Sequence, residues 1–175
     1  MSNWNKIFKP IVVLCAICIV ITGALAATNG VTAPIIEAAT LAAQEAARTE
    51  LLPDATGFTK VEGVNVENVS DIYATDNNVG TVITCSSKGY GGTITVMVAF
   101  NPDDTIKQIK ITEQAETAGL GSKIVSEASF QESFAGLAAA PFTVDDIDAI
   151  TGATISSKAV TAAVNSAVEA YNAIP

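Results

Sequence analysis

The chain has no histidine among its 175 residues, and that absence removes more chemistry than any other. Ser-His-Asp and Cys-His catalysis, histidine zinc sites and histidine-ligated haem all require an imidazole. Cysteine is scarce. Cys15 and Cys18 fall inside an apolar N-terminal run and Cys85 stands alone beyond it, which excludes a disulfide framework. The i, i+3 spacing of Cys15 and Cys18 suits small apolar packing on a helix better than a metal site. Positive charge is also short: Lys and Arg total 9 against 18 Asp and Glu, a net charge of −9. Nucleic-acid phosphates would be repelled, so nucleic acid is excluded as a partner class.

What the chain has instead is apolar length. Residues 11–28, "IVVLCAICIVITGALAAT", carry no charge. At about 1.5 Å rise per residue such a helix spans roughly 27 Å, close to the hydrocarbon thickness of a bilayer. Lys6 and Lys9 precede the run, Trp4 sits near the expected interface, and the next basic residue is Arg48. The positive-inside rule then places the N-terminus in the cytoplasm and the rest outside a cell (inner) membrane crossed once. A competing reading takes "ALAA" at 24–27 as a signal-peptide cleavage site. The apolar run is longer than a signal core, which favours a retained anchor. Both readings put the remainder outside the membrane, and neither cysteine sits in a lipoprotein pattern.

The chain thus divides into a cytoplasmic N-terminus (1–10), a transmembrane helix (11–28), a stalk helix (29–52) and an extracytoplasmic domain (53–175). In the stalk, "PIIEAATLAAQEAARTEL" (34–51) reads as a helix with Pro34 in its first turn. Ile35, Ala38, Ala39, Ala42, Ala46 and Leu51 form a loose face, and Pro53 and Gly57 stop the helix. In the domain, "GTVITCSS" (80–87), "GTITVMVAF" (92–100) and "TIKQIKITEQ" (105–114) alternate in polarity and predict a three-stranded antiparallel meander. "KGYGG" (88–92) and "NPDD" (101–104) are its turns. Residues 122–137 suit one or two short helices. Ala159, Val160, Ala163, Val164, Ala167, Val168 and Tyr171 form an apolar helical stripe, with Ser156 or Ser157 as the expected N-cap. The fold class is α+β.

The stretch "DAITGATISSKAV" (148–160) crowds Thr151, Thr154, Ser156 and Ser157 around Gly152 and Ala153, with no residue near to activate a hydroxyl. One reading is a capped helix entered through a glycine turn. Another is a phosphate site, because a helix start presents unpaired N–H groups and partial positive charge. Gly152 and Ala153 would leave room for a bulky group, and a separate enzyme could make any bond to a hydroxyl.

"DAITGATISS" resembles the Asp-x-x-(Ser/Thr)-Gly-Ala-(Thr/Ser) flavinylation signature of FMN-binding domains. "ETAGLGSKI" (116–124) resembles the family's Glu-Thr-Pro-Gly-Leu-Gly segment, with Ala118 in place of the proline, and "GYGG" (89–92) is a third match. The chain looks like the G subunit of Rnf electron-transport complexes and is similar to the C subunit of the sodium-pumping NADH:quinone reductase. The resemblance covers most of the chain and is weakest over residues 58–80. It implies FMN held by a phosphoester on Thr154, installed from FAD by a flavin transferase that recognises Asp148. It implies an electron carrier within an ion-translocating membrane ferredoxin:NAD oxidoreductase, with other membrane and peripheral subunits as partners and no independent catalysis. Thr151, Gly152, Ala153, Ser156, Ser157, Glu116, Thr117, Leu120, Gly121 and Lys123 are then candidates for contact with the ring or phosphate. Tyr90 could stack at that site or cover the core. A covalent link retains a cofactor that would otherwise be lost by dilution outside the cell, and a diester carries less charge than a free phosphate. The alternatives are a C-type sodium-pump subunit, a stand-alone membrane-anchored flavoprotein, and a non-redox module binding a phosphorylated ligand.

Overall fold

The computed structural model describes residues 8–174. Trp4 and Lys6, which helped to orient the N-terminus, lie outside them. The described chain falls into two compact units, one ending at Ala43 and one beginning at Gln44.

The N-terminal unit is helix. Helix α1 runs from Lys9 to Leu51 without a break, and Pro34 lies inside it. Pro34, expected in a first helical turn, is therefore well inside the helix. Pro34 has no N–H to give the carbonyl four residues back, so the helix loses one bond there, but the bonds on either side carry it through. The helix is long and apolar enough to cross a membrane, and none of its most apolar stretch is buried. The loose stalk face is not buried as a face either. Within α1 only Ala47, Arg48 and Leu51 are buried.

The C-terminal unit is built on an antiparallel sheet of five strands in the order β1-β2-β3-β4-β5. They are β1 (Phe58–Lys60), β2 (Val69–Thr75), β3 (Thr81–Lys88), β4 (Thr93–Phe100) and β5 (Ile106–Glu113). The predicted meander is β3 to β5, and the sequence reading missed β1 and β2. Short helices α2 (Lys123–Ser126) and α3 (Ala128–Glu132) follow, then a single 3-10 turn at Val144–Asp146 and the long α4 (Thr154–Asn172).

Strand alternation sends side chains to two faces. On one, Ile83, Cys85, Val96, Val98, Phe100, Ile109 and Ile111 pack against the predicted α4 stripe, Ala159, Val160, Ala163, Val164, Ala167 and Val168. The rings of Phe100 and Tyr171 stack at 4.4 Å. On the other, Val82, Met97 and Ala99 pack beneath Ala47, Leu51 and Leu52. There the Arg48 guanidinium sits 4.1 Å over the Tyr73 ring, and Lys110 pairs with Glu50. The sheet is thus held between α4 and the last turns of α1.

Candidate functional site

The flavinylation-like stretch sits on the domain surface in a three-residue rhythm. Ile147, Ile150 and Ala153 are buried, at 8%, 5% and 5% exposure. Asp148, Thr151 and Thr154 face solvent. Gly152 turns the chain with φ +84°, a conformation that favours glycine. A side chain there would meet only Leu120, at 3.6 Å, so backbone conformation rather than clearance selects Gly152. Ala153 does not give clearance: its methyl points into the core.

Helix α4 begins at Thr154 with Ala153 in the N-cap position and no side-chain cap. This corrects the expected Ser156 or Ser157 cap. Both serines lie inside the first turn, buried, where their hydroxyls serve longer contacts. The Ser157 hydroxyl accepts the Ile150 N–H at 3.2 Å, which ties the incoming loop down. Ser156 donates to the carboxylate of Glu116. The amide of Ser157 donates to the Ala153 carbonyl at 2.9 Å. The amides of Thr154, Ile155 and Ser156 come before it and have no intrahelical acceptor.

A cavity of about 310 Å³ opens beside this helix start. It is lined by Tyr90, the loop residues Glu116, Thr117, Leu120 and Gly121, and Gly152 to Ser156. Three parts of the chain meet there: the β3–β4 hairpin tip, the loop after β5 and the start of α4. The rim is apolar and open, with Tyr90 71%, Ile155 56% and Leu120 49% exposed. Tyr90 therefore belongs to the site and not to the core. Of the candidate site residues, the cavity gathers Glu116, Thr117, Leu120, Gly121, Gly152, Ala153, Thr154 and Ser156. Thr151, Ser157, Lys123 and Asp148 are not in its lining. Lys123 instead pairs with Glu127 at 3.7 Å, an exposed i, i+4 contact of small energetic weight.

The polar centre is Glu116, 9% exposed. Burial alone would push its carboxyl up. Hydrogen bonds from Ser156 and from the backbone of Gly91, Gly92 and Tyr90 outweigh that and hold it below the ordinary 4.5. A lowered folded-state value stabilises the fold above the unfolded value, and the contribution is lost as pH falls through the folded value. Wild type will therefore lose stability relative to Glu116→Gln as pH is taken from 6 toward 3, as denaturant midpoints at each pH will read. Equal losses in the two proteins would refute this.

Glycines make room for that carboxylate. A Cβ on Gly121 would lie 2.5 Å from Glu116 Oε2 and 2.8 Å from Ser156 Oγ, and one on Gly89 would collide with Glu116 Oε1. We expect Gly121→Ala to destabilise the domain by about 1–3 kcal/mol through overpacking, seen as a lower denaturant midpoint with unchanged m-value.

The residues present suit a flavin mononucleotide. An apolar open rim fits a planar ring, unpaired amides at a helix start fit a phosphate, and the cavity volume is in the range of small-ligand sites. The site so defined is that of an FMN-binding domain, and the model of that family matches residues 89–169. This stretch contains every residue of the cavity lining and all of its three walls. Similarity extends further. The chain is 34% identical to the G subunit of the Na(+)-translocating ferredoxin:NAD(+) oxidoreductase complex of Acetobacterium woodii, across 97% of this chain and 93% of the relative. It is 35% identical to the G subunit of the proton-translocating ferredoxin:NAD(+) oxidoreductase complex of Clostridium ljungdahlii, across 96% and 93%. It is 31% identical to the G subunit of the ion-translocating oxidoreductase complex of Methanosarcina acetivorans, across 99% and 98%. The chain belongs to the family of G subunits of these Rnf-type complexes. A sodium-named and a proton-named relative thus resemble it to nearly the same degree, 34% and 35%.

Proposed function

We propose that this chain carries FMN through a phosphoester on the Oγ1 of Thr154 and relays electrons as the G subunit of an ion-translocating ferredoxin:NAD oxidoreductase. The observation that carries the site assignment is the fate of four neighbouring hydroxyls. Ser156 and Ser157 are buried and committed, and Thr151 is exposed away from the cavity. Thr154 alone of the four is exposed, lines the cavity and makes no side-chain hydrogen bond among the described residues.

A flavin transferase supplies the bond. The Thr154 hydroxyl oxygen joins the FMN phosphorus of FAD, the pyrophosphate linkage breaks, AMP leaves, and the hydroxyl proton passes to the transferase or to water. The exposed triad of Asp148, Thr151 and Thr154 is the face such an enzyme would read. The amides at the start of α4 would donate to the oxygens of a phosphodiester there. Leu120, Ile155 and Tyr90, exposed at the rim, would bound the ring and leave it accessible to partner carriers. Bound flavin supplies one- and two-electron transfer, while the protein sets its position and polarity. Helix α1 anchors the chain, with the N-terminus cytoplasmic and the domain outside, where the rest of the complex meets it.

Peptide mass spectrometry across residues 144–158 after expression with a transferase tests the cofactor, the bond and the residue together. The expected product is that peptide plus FMN minus water, with the mass on Thr154. An unmodified peptide would sink the proposal.

A further inference from the structure

The carboxylate of Glu116 is spent inside the protein and is not free for a ligand. We infer that Glu116 is a positioning residue, whose carboxylate closes a clasp between the β3–β4 hairpin and the first turn of α4 and so fixes the cavity walls beside Thr154 before any cofactor arrives. The inference deepens the reading of Thr154 as the attachment residue and rests on it.

The clasp is built from residues far apart in sequence. Glu116 follows β5, and the Gln114 side chain accepts its N–H at 2.6 Å, bending the chain there. Its Oε1 then accepts the Gly91 N–H at 2.9 Å, across 25 residues. Its Oε2 accepts the Ser156 hydroxyl, across 40 residues. One side chain therefore bonds the hairpin and the helix start at once, from within the loop that forms the third wall. Glycine at 89 and 121 is what lets the carboxylate lie between them. Helix α4 has no side-chain cap of its own, and a buried carboxylate held at its third residue supplies the negative charge that a helix start favours. The clasp also occupies Ser156, which leaves Thr154 as the hydroxyl of that turn open to modification.

Removing the carboxylate leaves the Gly91 N–H of the exposed hairpin without its acceptor and the buried Ser156 hydroxyl without a partner. The hairpin tip bearing Tyr90 then loosens locally, while the α4 core stays packed. The test uses the full chain in detergent, produced without a transferase, as wild type, Glu116→Ala and Glu116→Gln. Hydrogen–deuterium exchange is read over peptides covering residues 88–93 and 159–170. In Glu116→Ala the hairpin peptide should exchange about 10-fold faster or more, with the α4 peptide unchanged. Glutamine keeps an acceptor for Gly91 and can donate to Ser156, so it should recover at least half of that loss on a logarithmic scale. The same three proteins are then loaded with FAD and transferase in vitro. Initial rates should fall about 5-fold or more in Glu116→Ala and recover in Glu116→Gln. Hairpin exchange within about two-fold of wild type in Glu116→Ala overturns the inference, as does equal loss in both variants with the α4 peptide also exposed. If wild type takes up no flavin while the exchange pattern holds, the attachment reading fails and the clasp stands.

Discussion

Thr154→Ala protein made alongside a flavin transferase will carry no covalent flavin: no fluorescence in a denaturing gel and an intact mass equal to the bare chain. The loss should be complete, because the oxygen proposed to form the ester is gone. The fold should not change. Thr154 is exposed at the first residue of α4 and its side chain makes no cap bond, and substitutions at such sites usually shift stability by no more than about 0.5 kcal/mol. Thr154→Ser restores the hydroxyl and should restore attachment. Thr117→Ala is the informative control, since Thr117 is the other exposed threonine of the cavity lining. It should keep covalent flavin. Flavin retained in Thr154→Ala, or lost only in Thr117→Ala, would move the attachment site.

The largest stability effect is expected at Phe100. It is fully buried, stacks on Tyr171 of α4 and pairs with Thr81 and Ile106 across the sheet. Phe100→Ala removes a ring from the seam between sheet and helix. Such truncations cost about 3–5 kcal/mol, which for a domain of this size lowers the melting temperature by roughly 10–20 °C. Thermal unfolding followed by circular dichroism will read it. A shift under a few degrees would mean that the seam repacks around the gap.

Most of this architecture could be read from local pattern. The α4 stripe was legible because one wide apolar face must cover a sheet, and β3 to β5 because their residues alternate between two packed faces. Strands β1 and β2 were not. β1 is only Phe58–Lys60, and β2 carries Ser70 and Asp71 with a register shift beside them. β2 takes its strand identity from pairing with β3 and β1 from pairing with β2. Pro34 was misread because its preference for a first turn is local, whereas continuity of α1 depends on the turns around it. At the site, the motif pointed to Thr154; folding buries Ser156 and Ser157, and of the two exposed threonines only Thr154 lines the cavity. The two hydrogen bonds that Glu116 accepts, from the hairpin and from Ser156, span sequence separations that no periodicity reveals. The glycines at 89 and 121 were its one sequence trace, visible as a requirement only once the carboxylate lies between them.

The last turns of α1 also give the domain a second layer. Arg48, Leu51 and Leu52 meet the sheet on the face opposite α4. The end of α1 and the helix whose start lines the cavity therefore lie in opposite layers of the domain, with the sheet between them.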